Sequence, residues 1–375
     1  MTSVAPAANH PVASPSLVRP IQIGRVTLAS NLFLSPLAGY TSLPFRLIIR
    51  DIGGVGLCTT DLVNARSLLE RNRKAHQLIE SRDDDRPLAV QLYGTVPEEM
   101  RDAALLLQAR GVNMVDINMG CPVRKICRNG GGASMMGDVH RAAHLVRTMT
   151  AALTIPVTCK MRLGWDDANL TAPELARSLE DAGAAAVIIH GRTRQQGFTG
   201  TVNLAGIRAV VQALRSIPCV GNGDITTPAA AKMMFEQTGC AAISIGRGAF
   251  YNPWIFGHIT RYMADGVTLS EPTFEQRIAV VTRHLDRMIE VFGEEDGCRK
   301  FRKIALQYSR RFGPCVEFDK RIVRLNNRAE FDDIMTVYRQ WRRKFTGPDG
   351  NLLPQYAPRE MTPLIPVPTG PNELW

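Results

Sequence analysis

The stretch MVDINMGCPVRK, Met114 to Lys125, sets an apolar run against a cysteine lodged between a glycine and a proline. The run has the length and character of a buried strand, and Gly120 and Pro122 mark where it stops. A cysteine serving only as a small hydrophobe belongs inside such a run. Cys121 instead stands where strand gives way to loop, the place where rigid scaffolds display reactive side chains. Seven further runs of the same make surround it: LFLSP (32–36), VGLCTT (55–60), LAVQLYG (88–94), IPVTCKMRLG (155–164), AAVIIHG (185–191), IPCVGNGD (217–224) and AAISIGRG (241–248). Segments with helical spacing lie between them, such as PEEMRDAALLLQARG (97–111), with Pro at its start and Gly at its stop. Eight alternating units predict an α/β protein, a closed (β/α)8 TIM barrel over 21–265. The segment IQIGRVTLASN (21–31) reads as a hairpin closing the bottom of that barrel.

Beyond Trp254 the pattern changes. FEQRIAVVTRHLDRMIEVFG, GCRKFRKIALQYSRRF and RAEFDDIMTVYRQWRRKF carry helical periodicity and no strand-like run, which predicts a small all-helical domain over 266–345. A Pro- and Ala-rich extension, residues 1–20, is expected to be flexible, and a Pro- and Gly-rich tail, 346–375, irregular.

The 375 residues are 45% hydrophobic and 21% charged, an ordinary globular composition. No stretch approaches the roughly 18 apolar residues of a membrane span, and the N-terminus lacks the basic start and apolar core of a secretory signal. Eight scattered cysteines form no CxxC pair and no zinc spacing, which points to free thiols, no metal and a cytoplasmic home. A monomer is the working expectation. The net charge of +10 is concentrated: Arg299 to Lys344 holds 14 Lys/Arg against 5 Asp/Glu. A charge run can be no more than a solvated face, so its meaning depends on the rest of the chain.

Nearly every strand-like run ends in polar chemistry: Ser35, Asp61, Gln91, Asn118 with Cys121, Lys160 with Arg162, His190 with Arg192, Asn222 with Asp224, and Arg247. Barrel enzymes build their sites from this rim, and a purely structural barrel has no use for such loading. The turns GNGD and GRG after the seventh and eighth runs expose backbone N–H groups suited to a phosphate, with Arg247 as a guanidinium grip. No GxGxxG follows a strand, so a mononucleotide such as FMN fits better than a dinucleotide fold. Lys160 in the barrel mouth would answer the negative charge of a reduced flavin, and Gln91 would hold the pyrimidine part of its ring.

SPLAGYTSLPFR, VQLYG, DINMGCPVRK, CKMRLGWD, HGRTRQQGFTG, GNGDI and SIGRGAFYNPWIF together resemble, in order and register, the tRNA-dihydrouridine synthases, nearest their bacterial B-type branch. Tyr40 and Met135-Met136 depart mildly from that pattern. The resemblance implies reduction of the C5=C6 bond of particular uridines in tRNA, with FMN as hydride carrier and NADPH, or NADH, as reductant. It implies that Cys121 protonates C5 and that Asn118 meets the uracil edge. It makes Pro36, Leu37, Ala38, Gln91, Lys160, His190, Asn222, Gly223, Asp224, Gly246 and Arg247 the flavin site, with Arg162 and His190 between flavin and uracil. Cys127 matches nothing catalytic and is expected to be structural. The basic helices then acquire a purpose, with Arg299, Lys300, Arg302, Lys303, Arg342 and Arg343 as candidates for the phosphates of tRNA. Two rival readings are a flavin reductase of a free pyrimidine, in the manner of dihydroorotate dehydrogenases, and an RNA-binding barrel that has lost catalysis.

Overall fold

A computed structural model describes residues 16–358. Eight parallel strands, β1 (Leu32–Leu34), β2 (Leu57–Thr59), β3 (Leu88–Tyr93), β4 (Met114–Met119), β5 (Val157–Arg162), β6 (Ala186–His190), β7 (Cys219–Asn222) and β8 (Ala242–Ile245), form the sheet. Their order is β2-β1-β8-β7-β6-β5-β4-β3, and β2 pairs with β3 to close the ring. A two-residue strand, Val63–Asn64, pairs with the end of β3.

Period-two alternation decides which way each side chain faces. In β5, Val157, Cys159 and Met161 are buried in the layer between sheet and helices, whereas Thr158 and Lys160 line the barrel interior. In β4, Val115, Ile117 and Met119 face the helices and Met114 and Asp116 face inward. The lower interior is apolar: Phe33, Leu57, Met114 and Val220 pack on Ile23 and Leu28 of the hairpin formed by Ile21–Ile23 and Val26–Leu28. The outer helices bury one stripe each. The helix Ala172–Asp181 buries Ala172, Leu175, Ala176 and Leu179, the spacing of one helical face.

Both chain ends are fastened to the body of the protein where they are described. Asn31 donates to the Leu17 carbonyl (2.9 Å) and accepts from the Arg19 N–H (3.2 Å), so residues 16–20 are fastened to the barrel floor. Residues 1–15 lie outside the described residues. The tail folds back beyond Thr346: Leu353 N–H donates to the Phe345 carbonyl and Tyr356 packs edge-on to Phe345 at 5.0 Å. Residues 359–375 lie outside the described residues.

Among the described residues four α-helices follow the barrel: α1 (Phe274–Phe292), α2 (Glu294–Ser309), α3 (Val316–Ile322) and α4 (Arg328–Arg342). Thr273 and Gln276 close a capping box at the start of α1. An aromatic seam joins these helices to the barrel. Phe45 stacks on His284 of α1 (5.6 Å) and tilts against Phe250 (5.1 Å), which stacks on Tyr308 of α2 (6.2 Å). None of the described helices is long and apolar enough to cross a membrane.

Arg46, on the helix Leu43–Ile52 that carries Phe45, is completely buried and forks onto the equally buried Asp85 (2.6 Å). Its remaining N–H groups reach the carbonyls of Thr41 and Glu80, both at 2.7 Å. One guanidinium thus ties the loop after β1 to the loop before β3. Removing the carboxylate strands a buried charge, which costs about 3–5 kcal/mol. Asp85→Ala should therefore lower the unfolding free energy by about that amount, read as a lower urea midpoint at unchanged slope. A loss below about 1 kcal/mol would show that the two carbonyls suffice for Arg46.

Candidate active site

Cys121 is held by its own strand. Asn118, the last inward residue of β4, accepts the N–H of Cys121 (2.9 Å) and of Gly120 (3.2 Å) on its side-chain oxygen. Its amide nitrogen donates to Gln91 Oε1 on β3 (2.7 Å). Gln91 in turn donates to Asp116 (2.7 Å), whose second oxygen accepts from Thr158 on β5 (2.7 Å). Three neighbouring strands are thereby wired to the turn that carries the thiol. The polar atoms of Gln91 and Asn118 are largely committed to each other and to this turn, leaving each one amide N–H for a bound molecule. Burial raises the Cys121 thiol above its ordinary value, so the sulfur keeps its proton at neutral pH. Cys127 donates its S–H to the Cys121 carbonyl (3.3 Å), a structural task. Met136, one of the departures from the family pattern, places its sulfur 3.3 Å from the backbone N–H of Arg162.

The register of the parallel strands gathers the cations. Asn118 lies beside Lys160, Arg162 beside His190, and His190 beside Asn222. Lys160 donates to Asn222 Oδ1 (3.0 Å), and Asn222 is itself aimed by a bond to the Ser244 carbonyl (2.6 Å). Burial, and next the charge of Arg162, lower Lys160 to about 8. Arg162 is buried and spans the Gly120, Thr193 and Gly197 carbonyls at 2.7–2.9 Å. Burial pulls its guanidinium down to about 10. His190 is held far below its usual value by burial and by Arg162 and Lys160, and is neutral at pH 7.

The loops after β7 and β8 make a tight cradle. Gly223 has φ +124, and a Cβ there would lie 2.3 Å from Val202 Cγ1 and 2.9 Å from the His190 ring. A Cβ on Gly248 would lie 2.0 Å from the Ile225 carbonyl, so the two loops touch through glycine. Asp224 is spoken for by the protein: it takes both arms of Arg192 (2.9 and 2.8 Å) and the Val202 N–H (3.0 Å), with Arg247 at 3.4 Å. Its carboxylate aims two arginines and is not turned to an anion. A Cβ on Gly246 would lie 3.2 Å from Leu37 Cδ2, so the loop after β1 is close against the cradle, and Asp61 accepts the Gly39 N–H to pin that loop. Pro36, Leu37 and Ala38 are half-buried there. A small cavity of about 20 Å³ lies within the barrel, lined by Pro36, Asp116, Lys160 and Ser244 above and by Phe33, Leu57 and Met114 below.

These features fit a flavin. Lys160, Arg162 and Arg247 converge on one mouth, and each guanidinium or ammonium there is pulled down by burial, the signature of a pocket suited to negative charge. The glycine cradle leaves backbone room for a phosphate.

Four residues of the site went unassigned in the sequence. Asp116 is the hub of the hydrogen-bond chain; it shares the inward parity of Asn118 and Lys160, which was the available signal. Burial raises its carboxyl to about 6. Arg192 had only its place at a strand end. Phe198, exposed on the loop after β6, lies under the guanidinium groups of Arg162 (5.3 Å) and Arg247 (5.6 Å). Tyr93, at the end of β3, stands near Cys121, and burial and then that thiol push its phenol up.

The basic run divides on inspection. Arg342 is buried, its guanidinium over the Phe274 ring at 4.1 Å. Arg299 pairs with Asp296, and Arg302 binds the Leu325 carbonyl and Asn326. Lys303 lies over Tyr40 of the barrel (4.7 Å), and the charges of Lys300 and Lys74 help lower it, after burial. Lys300, Lys303 and Lys74 of a barrel helix thus share one positive face, while Arg343 is exposed at the end of α4.

The profile of the family described as "Dihydrouridine synthase (Dus)" matches residues 33–340. A protein named tRNA-dihydrouridine synthase B from Xanthomonas campestris is 35% identical over 310 residues, 83% of this chain and 92% of that one. The protein of the same name from Pseudomonas aeruginosa is 35% identical over 82% of this chain and 92% of its own. A probable tRNA-dihydrouridine synthase from Rickettsia conorii is 34% identical over 82% and 92%. Among solved structures, histamine dehydrogenase from Rhizobium sp. 4-9 superposes with a TM-score of 0.50 at 13% identity, over 72% of this chain and 51% of that chain, a likeness of fold alone. A match across both the barrel strands and the following helices, joined to relatives aligned over nine-tenths of their own length, places the chain in the dihydrouridine synthase family.

Proposed function

We propose that this protein is a cytoplasmic tRNA-dihydrouridine synthase that uses FMN, with NADPH or NADH as reductant, to reduce the C5=C6 bond of uridines in tRNA. The observation that carries the reading is a protonated, strand-anchored thiol at the lip of a cationic barrel mouth, in a chain of this family. Relatives over most of its length bear the name tRNA-dihydrouridine synthase, which supports tRNA as the substrate.

The flavin, when bound, supplies the hydride for uracil C6. Lys160 and Asn222 would hold its pyrimidine edge, and Gly223, Gly246 and Arg247 its phosphate. Arg192 and Asp224 keep Arg247 in place, and Pro36, Leu37 and Ala38 wall the ring. Cys121 gives its proton to C5 as negative charge develops there; a thiol raised by burial still carries that proton at neutral pH. Arg162, neutral His190 and the last N–H of Asn118 face the uracil, and Arg162 offsets charge on its carbonyl oxygens. A uracil inside folded tRNA must be swung out to reach this depth. The face formed by Lys300, Lys303 and Lys74, with Arg343 beyond it, would take the phosphates beside the mouth.

Cys121→Ala should still allow flavin reduction by NADPH, followed at the flavin absorbance band, while dihydrouridine formation falls about 10²–10⁴-fold. Full product formation by this variant would remove Cys121 from the mechanism. Lys160→Met should lose flavin on gel filtration or slow its reduction, since no counter-charge remains; normal content with normal kinetics would make Lys160 structural. Combined neutralisation of Lys300, Lys303 and Lys74 should weaken tRNA binding and remove roughly one unit of salt slope per charge. Unchanged affinity and slope, together with turnover of free uridine, would return the protein to the class of small-pyrimidine reductases.

A further inference from the structure

Two rim loops are clasped together at the mouth, residues 164–170 after β5 and 191–203 after β6. Arg194 N–H donates to the Gly164 carbonyl and Gln195 N–H to the Trp165 carbonyl, both at 2.9 Å. A Cβ on Gly164 would fall 1.9 Å from the Asn169 carbonyl, so the first loop is drawn tight on itself. Asp166 spends one oxygen on Ala168 N–H (3.0 Å) and Asn169 (2.7 Å), keeping the turn closed. The clasp displays an indole: Trp165 is 39% exposed, with the Arg194 guanidinium over one face at 4.6 Å. Among the described residues Arg194 has no carboxylate partner, and its Nε is buried without a hydrogen-bond acceptor. Thr171 donates to the Met136 carbonyl (3.0 Å), which ties this clasp to the loop following Cys121. There Arg124, Lys125 and Arg128 are exposed, and none forms an ion pair among the described residues.

Arg194, Arg124, Lys125 and Arg128 outnumber the Asp166 and Asp167 carboxylates of the loop itself, so a polyanion with flat apolar faces fits better than an apolar protein surface. We propose that the Trp165–Arg194 stack is a docking platform for a nucleotide of tRNA beside the target uridine: its base lies on the open face of Trp165, and its phosphate meets Arg194 with Arg124 and Lys125. The inference rests on the proposed function and adds a positioning site outside the flavin and uracil pocket. It also accounts for what replaces the stacking that the extruded base leaves behind.

The test compares Trp165→Ala and Trp165→Phe with the wild-type protein, using one tRNA transcript from the same organism. Loss of one base-stacking partner corresponds to roughly 5- to 150-fold in affinity. Trp165→Ala should raise Kd by filter binding and KM for tRNA by about tenfold, with kcat within about twofold. The wild type should show tRNA-induced quenching of its tryptophan fluorescence, and Trp165→Phe should keep most of the affinity and lose that quenching. Unchanged Kd and KM in Trp165→Ala would overturn the platform. If that variant has a lowered thermal midpoint, the fluorescence of Trp165→Phe decides: full quenching overturns the proposal and lost quenching upholds it. A wild type that binds tRNA with quenching yet makes no dihydrouridine would uphold the platform and refute the proposed reaction.

Discussion

The chain of hydrogen bonds from Thr158 through Asp116, Gln91 and Asn118 to the Cys121 N–H is the constraint on which the site depends. The first three links run between neighbouring barrel strands and the last ties the turn to the end of β4, so the thiol inherits the rigidity of the sheet although it sits on a loop. A buried carboxylate at the centre of such a chain is tolerable only while its acceptor capacity is filled. Gln91 and Thr158 fill it, and Lys160 nearby opposes the rise that burial imposes. Had the reactive group hung from the loop alone, its aim would vary with every movement of the rim.

The same economy governs the mouth. Arg192 and Asp224 form a buried pair that contributes no charge of its own and aims Arg247 across the cradle. Arg162 is nailed to three carbonyls, so its charge is fixed in place before any substrate arrives. Preorganised charge of this kind needs no rearrangement during the reaction. The aromatic seam of Phe45, Phe250, His284 and Tyr308 extends the rigidity outward, keeping the helical face with Lys300 and Lys303 beside the barrel mouth.

Much of this was legible in the sequence because strands announce their parity. Eight apolar runs gave the barrel, and their polar ends gave Cys121, Lys160, His190 and Asn222. What stayed hidden has a common physical reason: linear order does not reveal side-chain partners. Asp116 reads as one more strand residue until its inward neighbours on β3 and β5 are known. Arg342 and Arg302 read as surface charge, yet one packs on Phe274 and the other binds a backbone carbonyl. Asp224 reads as a cofactor ligand, yet its oxygens belong to arginines. Arg46 carried no sign that it joins two distant loops.

The burial that raises the Cys121 thiol has a second effect, on durability. Sulfur reacts with oxidants and electrophiles as thiolate, and a thiol held above its ordinary value offers little of it. Five of the eight cysteines are fully buried, and Cys315, half-buried beside Asp319, is pushed up to about 11. In the proposed reaction, the group that delivers its proton to carbon is thus also the one that resists overoxidation. In this chain, protection and competence arise from one desolvated sulfur, with no separate guard needed.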